Sequence, residues 1–597
     1  MTSSPDLPPA LSSMWRLCRL GYRHEPRLMI TAFVLSQIAA LPGALMAVWL
    51  LALGRGVVQH RAGLVIASAI GMGLSSAATW LLVVYSTRVQ RRFRDRVTIA
   101  LESHVAALQA SIVTIAHQER PEHLDRLSML RNQVFVLDHM YMSLFSTCAW
   151  ILGLVVTLAL LASIHIALVL LGVLAIPAFL TSAWRPAVER AVQEKAAQPN
   201  RLARHLFTVA TTAPPGKEVR VTGIGERLVA QRRDAWERGY VPVGAVRWAS
   251  ARWHALAWAL FAAGYVGAIV FVALGLRAPV ESVLLVLAAG ASLSRYVSGT
   301  VGELGFLRGF WMDGSRRLAW LEDYAASLTA SADAHAPAVL RQAIRFDRVS
   351  FAYPGTSRLV LDDVTLTFPA GAIVAIVGEN GAGKTTLVKL LAKLYEPSSG
   401  AITVDGTSLA RMRADEWRTR LSGAFQDFFR FEFSAQRTIG LGDVPRVDDA
   451  SAAAGAVTRA GADDVIARLP AGLATQLGPT WPGGVDVSFG QWQKLALARG
   501  FMRDAPLVTV LDEPTAALDA ETEHALFERY AASAREHGAA GRVTILVSHR
   551  FSTVRMADII VVLDGARVAE SGTHEQLIAA RGPYSQLYGI QAAAYRR

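Results

Sequence analysis

The sequence predicts a multi-domain chain, an all-α membrane region of six helices followed by an α/β domain. Three observations predict it. Apolar blocks of roughly twenty residues, the length a helix needs to cross a bilayer, recur six times before about residue 300 and then stop. Two of the gaps between them are long, polar and helically patterned. After residue 341 the text reads as a globular α/β domain, with buried-strand runs that open onto glycine loops and amphipathic helices. Composition agrees, because 52% of the 597 residues are hydrophobic and only 18% charged. Water-soluble chains average nearer a quarter charged, so part of this one meets lipid. The expected boundaries are a cytoplasmic elbow segment at 1–27, the membrane domain at 28–327, a linker at 328–340 and the α/β domain at 341–597.

The first 27 residues are mixed and arginine-rich, with Arg16, Arg19, Arg23 and Arg27, and show no short apolar core before a small-residue cleavage site. A cytoplasmic segment is expected there, not a cleaved leader. The six blocks lie near 28–53, 62–86, 141–163, 166–184, 253–276 and 279–300. Ser163-Ile164-His165 and Leu276-Arg277-Ala278-Pro279 are short links, which imply hairpins on one side of the membrane. The long connections, 87–140 and 185–252, lie on the other side. The first opens with Arg88, Arg91, Arg92, Arg94 and Arg96, so the positive-inside tendency places the N-terminus, both connections and everything after 300 in the cytoplasm, Arg55 and Arg61 being mild exceptions. Both connections are expected to continue as helices well beyond the bilayer and to turn back near Pro121 and near Pro214-Pro215-Gly216, reaching toward the chain's own C-terminal domain.

The net charge of +12 flanks the apolar blocks, which fits anionic headgroups and not nucleic acid. Two cysteines, Cys18 and Cys148, build neither a disulfide framework nor a zinc site. Within the apolar blocks, Gln37 and Arg295 stand out. Arg295 either faces a wet cavity or snorkels to the cytoplasmic end. Trp248, Trp253 and Trp258 read as an interfacial aromatic belt, with a substrate site as the alternative.

In the second half, "VAIVGENGAGKTTLVKLL" gives a strand, then G-x-x-x-x-G-K-T from Gly378 to Thr385, then an amphipathic helix. This is the context a P-loop requires. Gly378, Gly381 and Gly383, with Asn380 between them, let backbone N–H groups turn toward a phosphate, and the helix that begins at Lys384-Thr385-Thr386 adds its positive end. Lys384 reaches the β- and γ-phosphates, and Thr385 offers a hydroxyl to Mg²⁺. "LVTVLDEPTAALD" supplies a second buried strand that ends in Asp512, a metal carboxylate, and Glu513, a general base for water. His549 follows a third strand and is placed to bond a γ-phosphate, and the Gln426 amide is a metal or water ligand.

These segments resemble the nucleotide-binding domain of ABC transporters. Phe351-Ala352-Tyr353, the P-loop, Gln426, Ser488-Phe489-Gly490-Gln491, Asp512-Glu513, Asp519 and His549 occur in that family's order over about 341–597. The six blocks before them look like an exporter half-transporter's membrane domain. The resemblance implies an α/β P-loop ATPase domain with a helical subdomain. It implies that Tyr353 stacks on adenine, Gln426 links metal to membrane domain, and Asp519 lies at a dimer seam. Ser488, Gly490 and Gln491, a signature with Val487 and Phe489 in place of Leu and Gly, would contact the γ-phosphate of ATP held by another subunit. Trp481-Pro482-Gly483-Gly484 departs from the acidic stretch common in exporters. With one P-loop and one signature per chain, a homodimer is expected, a heterodimer being the alternative. The function so implied is an ATP- and Mg²⁺-dependent exporter of a peptide or amphiphilic small molecule across the bacterial inner membrane. The alternatives are a lipid or drug flippase and a nucleotide-gated channel or regulator. "FQDFFRFEFSAQRTIGLGD" and "GKEVRVTGIGERL" resemble bacterial lantibiotic-type peptide exporters, but no peptidase domain is expected in the first 27 residues.

Overall fold

The computed structural model describes residues 7–119, 127, 130, 137–307, 312–329, 332–513, 541–548 and 551–595. The chain divides into two compact units. One comprises Met1–Ala110 with Arg126–Tyr324, the other Ser111–Asp125 with Ala325–Arg597.

The first unit is helical. Helices α1 (Ala10–His24), α2 (Pro26–Val58), α3 (Ala62–Ser111), α4 (His139–Ala162), α5 (Leu170–Leu174), α6 (Ile176–Lys195), α7 (Ala197–Thr211), α8 (Gly216–Thr222), α9 (Gly225–Val270), α10 (Val280–Phe306) and α11 (Met312–Thr329) follow in order. Among the described residues, five helices are long and apolar enough to cross a membrane: α2, α3, α4, 225–275 and 280–305. At 1.5 Å per residue α3 runs about 75 Å, more than twice the hydrocarbon thickness, so its polar half extends beyond the bilayer as expected.

The fourth apolar block departs from expectation. It is not one unbroken helix but a 3₁₀ turn at Ile166–Val169, then α5, then α6, with an apolar stretch at 166–181. Pro177 explains the break: it has no N–H, and its ring would collide with the carbonyl four residues earlier, so the chain restarts a helix with proline in its first turn. The two short links behave as read. Ser163 caps α4, the His165 Nδ1 accepts from the Ala167 N–H at 3.1 Å, and Arg277 takes a positive φ of 45° before Pro279 starts α10. The second long connection turns at 212–215, where α7 ends and α8 begins, and Gly223 at φ 66° turns the chain into α9. The turn expected at Pro121 lies outside the described residues, and α3 itself ends at Ser111.

Small residues let these helices approach closely, the usual device where lipid supplies no hydrophobic drive. Gly153 on α4 lies under the Tyr296 ring of α10, and Gly299 on α10 lies under Trp150 of α4. A Cβ at either would come within 2.6 Å of the ring. Gln37 is absorbed structurally. Its amide donates to the Ser36 hydroxyl and to the Phe145 carbonyl of α4 at 3.2 Å. Trp248 and Trp253 are exposed, whereas the Trp258 indole donates to His254 at 3.0 Å.

The second unit carries two sheets. Strands β1 (Ala343–Ala352), β2 (Leu359–Pro369), β4 (Ser399–Val404) and β5 (Thr407–Ser408) form an antiparallel sheet in the order β2-β1-β4-β5. The other sheet contains β3 (Ile373–Gly378), β6 (Leu421–Ala424), β7 (Val508–Asp512), β8 (Val543–Val547), β9 (Ile559–Asp564) and β10 (Arg567–Gly572), in the order β10-β9-β3-β8-β7-β6. It is parallel except for β10. Every residue of β8 is buried, as a strand covered on both faces must be. Helix α12 (Lys384–Leu391) follows β3, and α13 (Ala414–Thr419) precedes β6. A helical lobe joins α14 (Ala435–Gly440), α15 (Ala450–Ala460), α16 (Asp463–Arg468) and α17 (Phe489–Gly500), and α18 (His574–Ala580) and α19 (Pro583–Tyr595) close the chain.

Residues 111–119, from the first long connection, fold into this unit. The Ile115 N–H donates to the Leu394 carbonyl at 3.0 Å, Tyr395 donates to the Glu119 carboxylate, and Arg418 donates to the Val113 carbonyl.

Candidate functional site

The glycine loop is held open by backbone that other residues disfavour. Gly378 takes φ 148°, and a Cβ there would meet the Leu563 carbonyl oxygen at 2.3 Å. Gly383, the N-cap of α12, takes φ 98° with the Val360 carbonyl 2.8 Å from where a Cβ would sit. Lys384 is buried, and its Nζ donates to the Gly378 and Glu379 carbonyls at 2.8 and 2.9 Å. Burial lowers its pKa from the usual lysine value, against the opposing pull of Glu513 and Asp512.

At the end of β7, Asp512 is fully buried, and neither carboxylate oxygen makes a hydrogen bond of good geometry. Burial pushes its pKa up to about 6. The nearby Thr385 hydroxyl pulls it down, while repulsion from Glu513 and Asp427 adds to the rise. A buried, unsatisfied carboxylate beside a hydroxyl is the hard-oxygen environment that a divalent cation suits. The residues therefore fit Mg²⁺. Protons compete with a metal for such a carboxylate, which predicts that Mn²⁺ affinity, titrated on the nucleotide-bound full chain, is constant above about pH 6 and falls about tenfold per pH unit below it.

Glu513 follows in the left-handed region at φ 44°, costly for a residue with a side chain and often found at functional sites. Its carboxylate accepts from the Gln426 amide at 2.8 Å. Tyr353 stands at the other end of the cleft. Its hydroxyl is 3.0 Å from the Thr386 hydroxyl, its ring packs edge-on to Phe351 and Tyr395, and the Lys389 ammonium lies 5.7 Å from the ring centre. The cleft, about 1450 Å³, is lined by Tyr353, the loop from Gly378 to Thr386, which includes Asn380 and Gly381, Gln426 and Glu513. Sequence reasoning missed Thr356, Arg358 and the Asp564–Ala566 turn, which also line it. The cationic Arg358, five residues after Tyr353, was a signal for the first pair. The Asp564-Gly565 pair marked a hairpin turn, but its place beside the cleft comes from the pairing of β9 with the distant β3.

Ser488, Gly490 and Gln491 lie elsewhere in this unit and do not line that cleft. Ser488 is the N-cap of α17 in a capping box: its N–H donates to the Gln491 side-chain oxygen at 2.8 Å, and the Gln491 N–H donates to its hydroxyl at 3.3 Å. Val487 is buried in the lobe's core, so the shorter side chain still fills its place. Phe489 is 53% exposed, with Phe428 at 5.5 Å and the Arg430 guanidinium 5.5 Å over its ring. Asp519 and His549 lie outside the described residues.

The first unit has a cavity of about 380 Å³ between α2, α3, α4 and α10. Ser36, Ser86, Thr87, Gln90, Trp150 and Arg295 are among its lining residues. Arg295 reaches the Ser292 hydroxyl at 3.3 Å and lies 5.9 Å from the Tyr296 ring. Among the described residues, no carboxylate lines the cavity.

A P-loop between a buried strand and a helix, beside paired carboxylates, on a chain with membrane-length helices, has the architecture of a P-loop membrane protein. The fold is that of an ABC exporter: residues 361–516 match the ABC transporter family, and the membrane-length helices precede them. A solved bacterial Atm1-family ABC exporter with ATP bound shares this fold over 95% of this chain and 98% of its own, with TM-score 0.75 and 24% identity. Two curated relatives, both ATP-dependent lipid A-core flippases, come from Pseudomonas fluorescens Pf-5 and Alkalilimnicola ehrlichii. They are 41% identical over 245 residues and 42% identical over 253 residues, or 40% and 42% of this chain. The alignments span 39% and 41% of those relatives' own length.

Proposed function

We propose that two copies of this chain form an ATP-driven exporter that moves an amphiphile across the bacterial cytoplasmic membrane by alternating access. Tyr353 holds the base, Gly378 to Thr386 cradle the phosphates, and Ser488, Gly490 and Gln491 complete the partner copy's site. The separation of Ser488–Gln491 from the P-loop cleft supports this division between copies. Thr385, Asp512 and Gln426 would hold Mg²⁺, which neutralises charge developing on the transferred phosphoryl group. Glu513 takes the proton of the attacking water. His549 bonds the γ-phosphate, and Asp519 lies at the seam.

The observation that carries a transport role is the segment 111–119. This segment, which follows membrane helix α3 in the chain, is bonded into the ATPase unit through Leu394, Tyr395 and Arg418. Ile115 and Glu119 line one groove with Gly423, Ala424 and Phe425, next to Gln426. A change of nucleotide state at Gln426 thus has a short physical route to α3.

The cavity supports an amphiphile over a peptide, because among its described lining residues Arg295 stands with hydroxyls, an amide and aromatic rings and no carboxylate. The relatives' activity on lipid A-core points the same way. The decisive experiment measures ATPase stimulation and uphill accumulation in reconstituted vesicles against a panel of lipids, peptides and drugs. Uphill accumulation distinguishes a pump from a nucleotide-gated channel, and a channel-like downhill leak alone would defeat the proposal. Arg295→Gln is expected to raise about tenfold the concentration of anionic amphiphile that half-saturates stimulation, while a zwitterionic analogue of equal chain length is affected little.

A further inference from the structure

Helix α1 presents three different faces. Leu17 and Gly21 are buried against α4: the Tyr141 hydroxyl donates to the Leu17 carbonyl at 2.6 Å, and a Cβ on Gly21 would come within 2.7 Å of the Tyr141 side chain. Leu11, Trp15 and Tyr22 share a second face and are 68%, 64% and 51% exposed. Arg16, Arg19 and Arg23, spaced i, i+3 and i+7, form a stripe between the two. A helix with exposed aromatic and aliphatic residues beside an arginine edge is built to lie in a membrane interface.

The arginine edge faces a pocket of about 420 Å³, within the size range of small-ligand sites. It is lined by Arg16, Arg19, Arg23, His24, His104 and Glu322, with Leu20 as its apolar wall. The acidic groups there are already engaged. Arg16 binds Asp323 at 2.6 Å and lies 3.8 Å from Glu322, and His104 lies 3.0 Å from the same Glu322. Arg19 and Arg23 have no acidic partner among the described residues. The pocket therefore offers two uncompensated guanidinium groups, which bind phosphate in bidentate fashion, next to a face that sits among acyl chains.

We propose that this pocket binds the phosphate of an anionic glycerolipid of the cytoplasmic leaflet, held by Arg19 and Arg23. The site is separate from the cavity at Arg295 and does not depend on what the protein carries. Seating a lipid there would fix α1 against α3 and α11, through the contacts that Arg16 and His104 make with the α11 carboxylates.

The test places the full-length protein in nanodiscs of phosphatidylcholine with increasing phosphatidylglycerol and reads retained lipid by native mass spectrometry, without nucleotide. The parent is expected to prefer phosphatidylglycerol about thirtyfold, as two interfacial arginines would give. Arg19→Gln/Arg23→Gln is expected to abolish the preference, and Arg19→Lys/Arg23→Lys to retain most of it, which separates lost charge from lost fold. Undiminished preference in the glutamine variant overturns the proposal. So does millimolar inorganic phosphate displacing the retained lipid, because the occupant would then be a free anion. The absence of nucleotide keeps this outcome independent of the transport reading.

Discussion

Glu513→Gln is expected to leave a nucleotide-bound dimer whose ATP turnover falls about a thousandfold, within the range that a general base contributes. The substitution changes one atom and keeps the shape. Glutamine stands in the same left-handed conformation as Glu513, so the backbone strain at φ 44° is unchanged. Its amide still meets the Gln426 amide across the 2.8 Å contact, with one amide donating to the oxygen of the other. What is lost is the capacity to accept a proton from water. The P-loop from Gly378 to Thr385 is untouched, so ATP affinity should remain within a factor of a few. On the proposed two-copy mechanism, ATP that binds the closed dimer preferentially and is no longer consumed holds the population closed. Single-turnover hydrolysis and trapped-nucleotide stoichiometry check this in reconstituted protein. A variant that hydrolyses ATP at near-parent rates would remove Glu513 from the base role. One that hydrolyses slowly yet fails to retain nucleotide would separate hydrolysis from closure.

Parts of this molecule were legible because their information is local. The P-loop needs glycine at Gly378 and Gly383 for backbone reasons that six neighbouring residues declare, and the capping box at Ser488 and Gln491 is written within four. The two departures from the usual signature were readable as changes of packing. Val487 keeps the core filled, and Phe489 points outward, where its ring meets Phe428 and Arg430. Other features depend on partners far away in sequence. Gln37 reads as a lone polar group in an apolar block until Phe145, 108 residues on, supplies the carbonyl it bonds. The membership of residues 111–119 in the C-terminal unit rests on Leu394, Tyr395 and Arg418, which no local pattern connects to them. Pro177 breaks the fourth block, whereas Pro42 and Pro242 lie inside continuous helices, so a proline in apolar text does not by itself locate a break.

Asp512→Asn is expected to move stability and activity in opposite directions. The carboxyl is buried, its oxygens are unsatisfied, and its pKa is pushed up from 3.8 to about 6. For an acid raised in the folded state, the folded form is the better proton acceptor. Stability fully present below the unfolded pKa is therefore lost as pH rises through about 6, and amounts to about 3 kcal/mol above it. Asparagine carries no charge to desolvate, although its own buried amide retains a cost of about 1–3 kcal/mol. The net gain for the metal-free protein at pH 7.5 is about 0–2 kcal/mol, a rise of up to several degrees in the unfolding temperature of the C-terminal unit. At pH 4 the parent carboxyl is already protonated, so the gain should vanish. Mg²⁺-dependent ATPase should meanwhile fall by on the order of a hundredfold or more, because a neutral amide leaves the cation with weaker coordination. Added Mg²⁺ should stabilise the parent and shift the variant much less. Calorimetry at the two pH values, with and without metal, reads all of these outcomes. A variant that is less stable at pH 7.5 yet still gains as much from Mg²⁺ would mean that Asp512 is a structural carboxylate and that the cation is held by Thr385 and Gln426 without it.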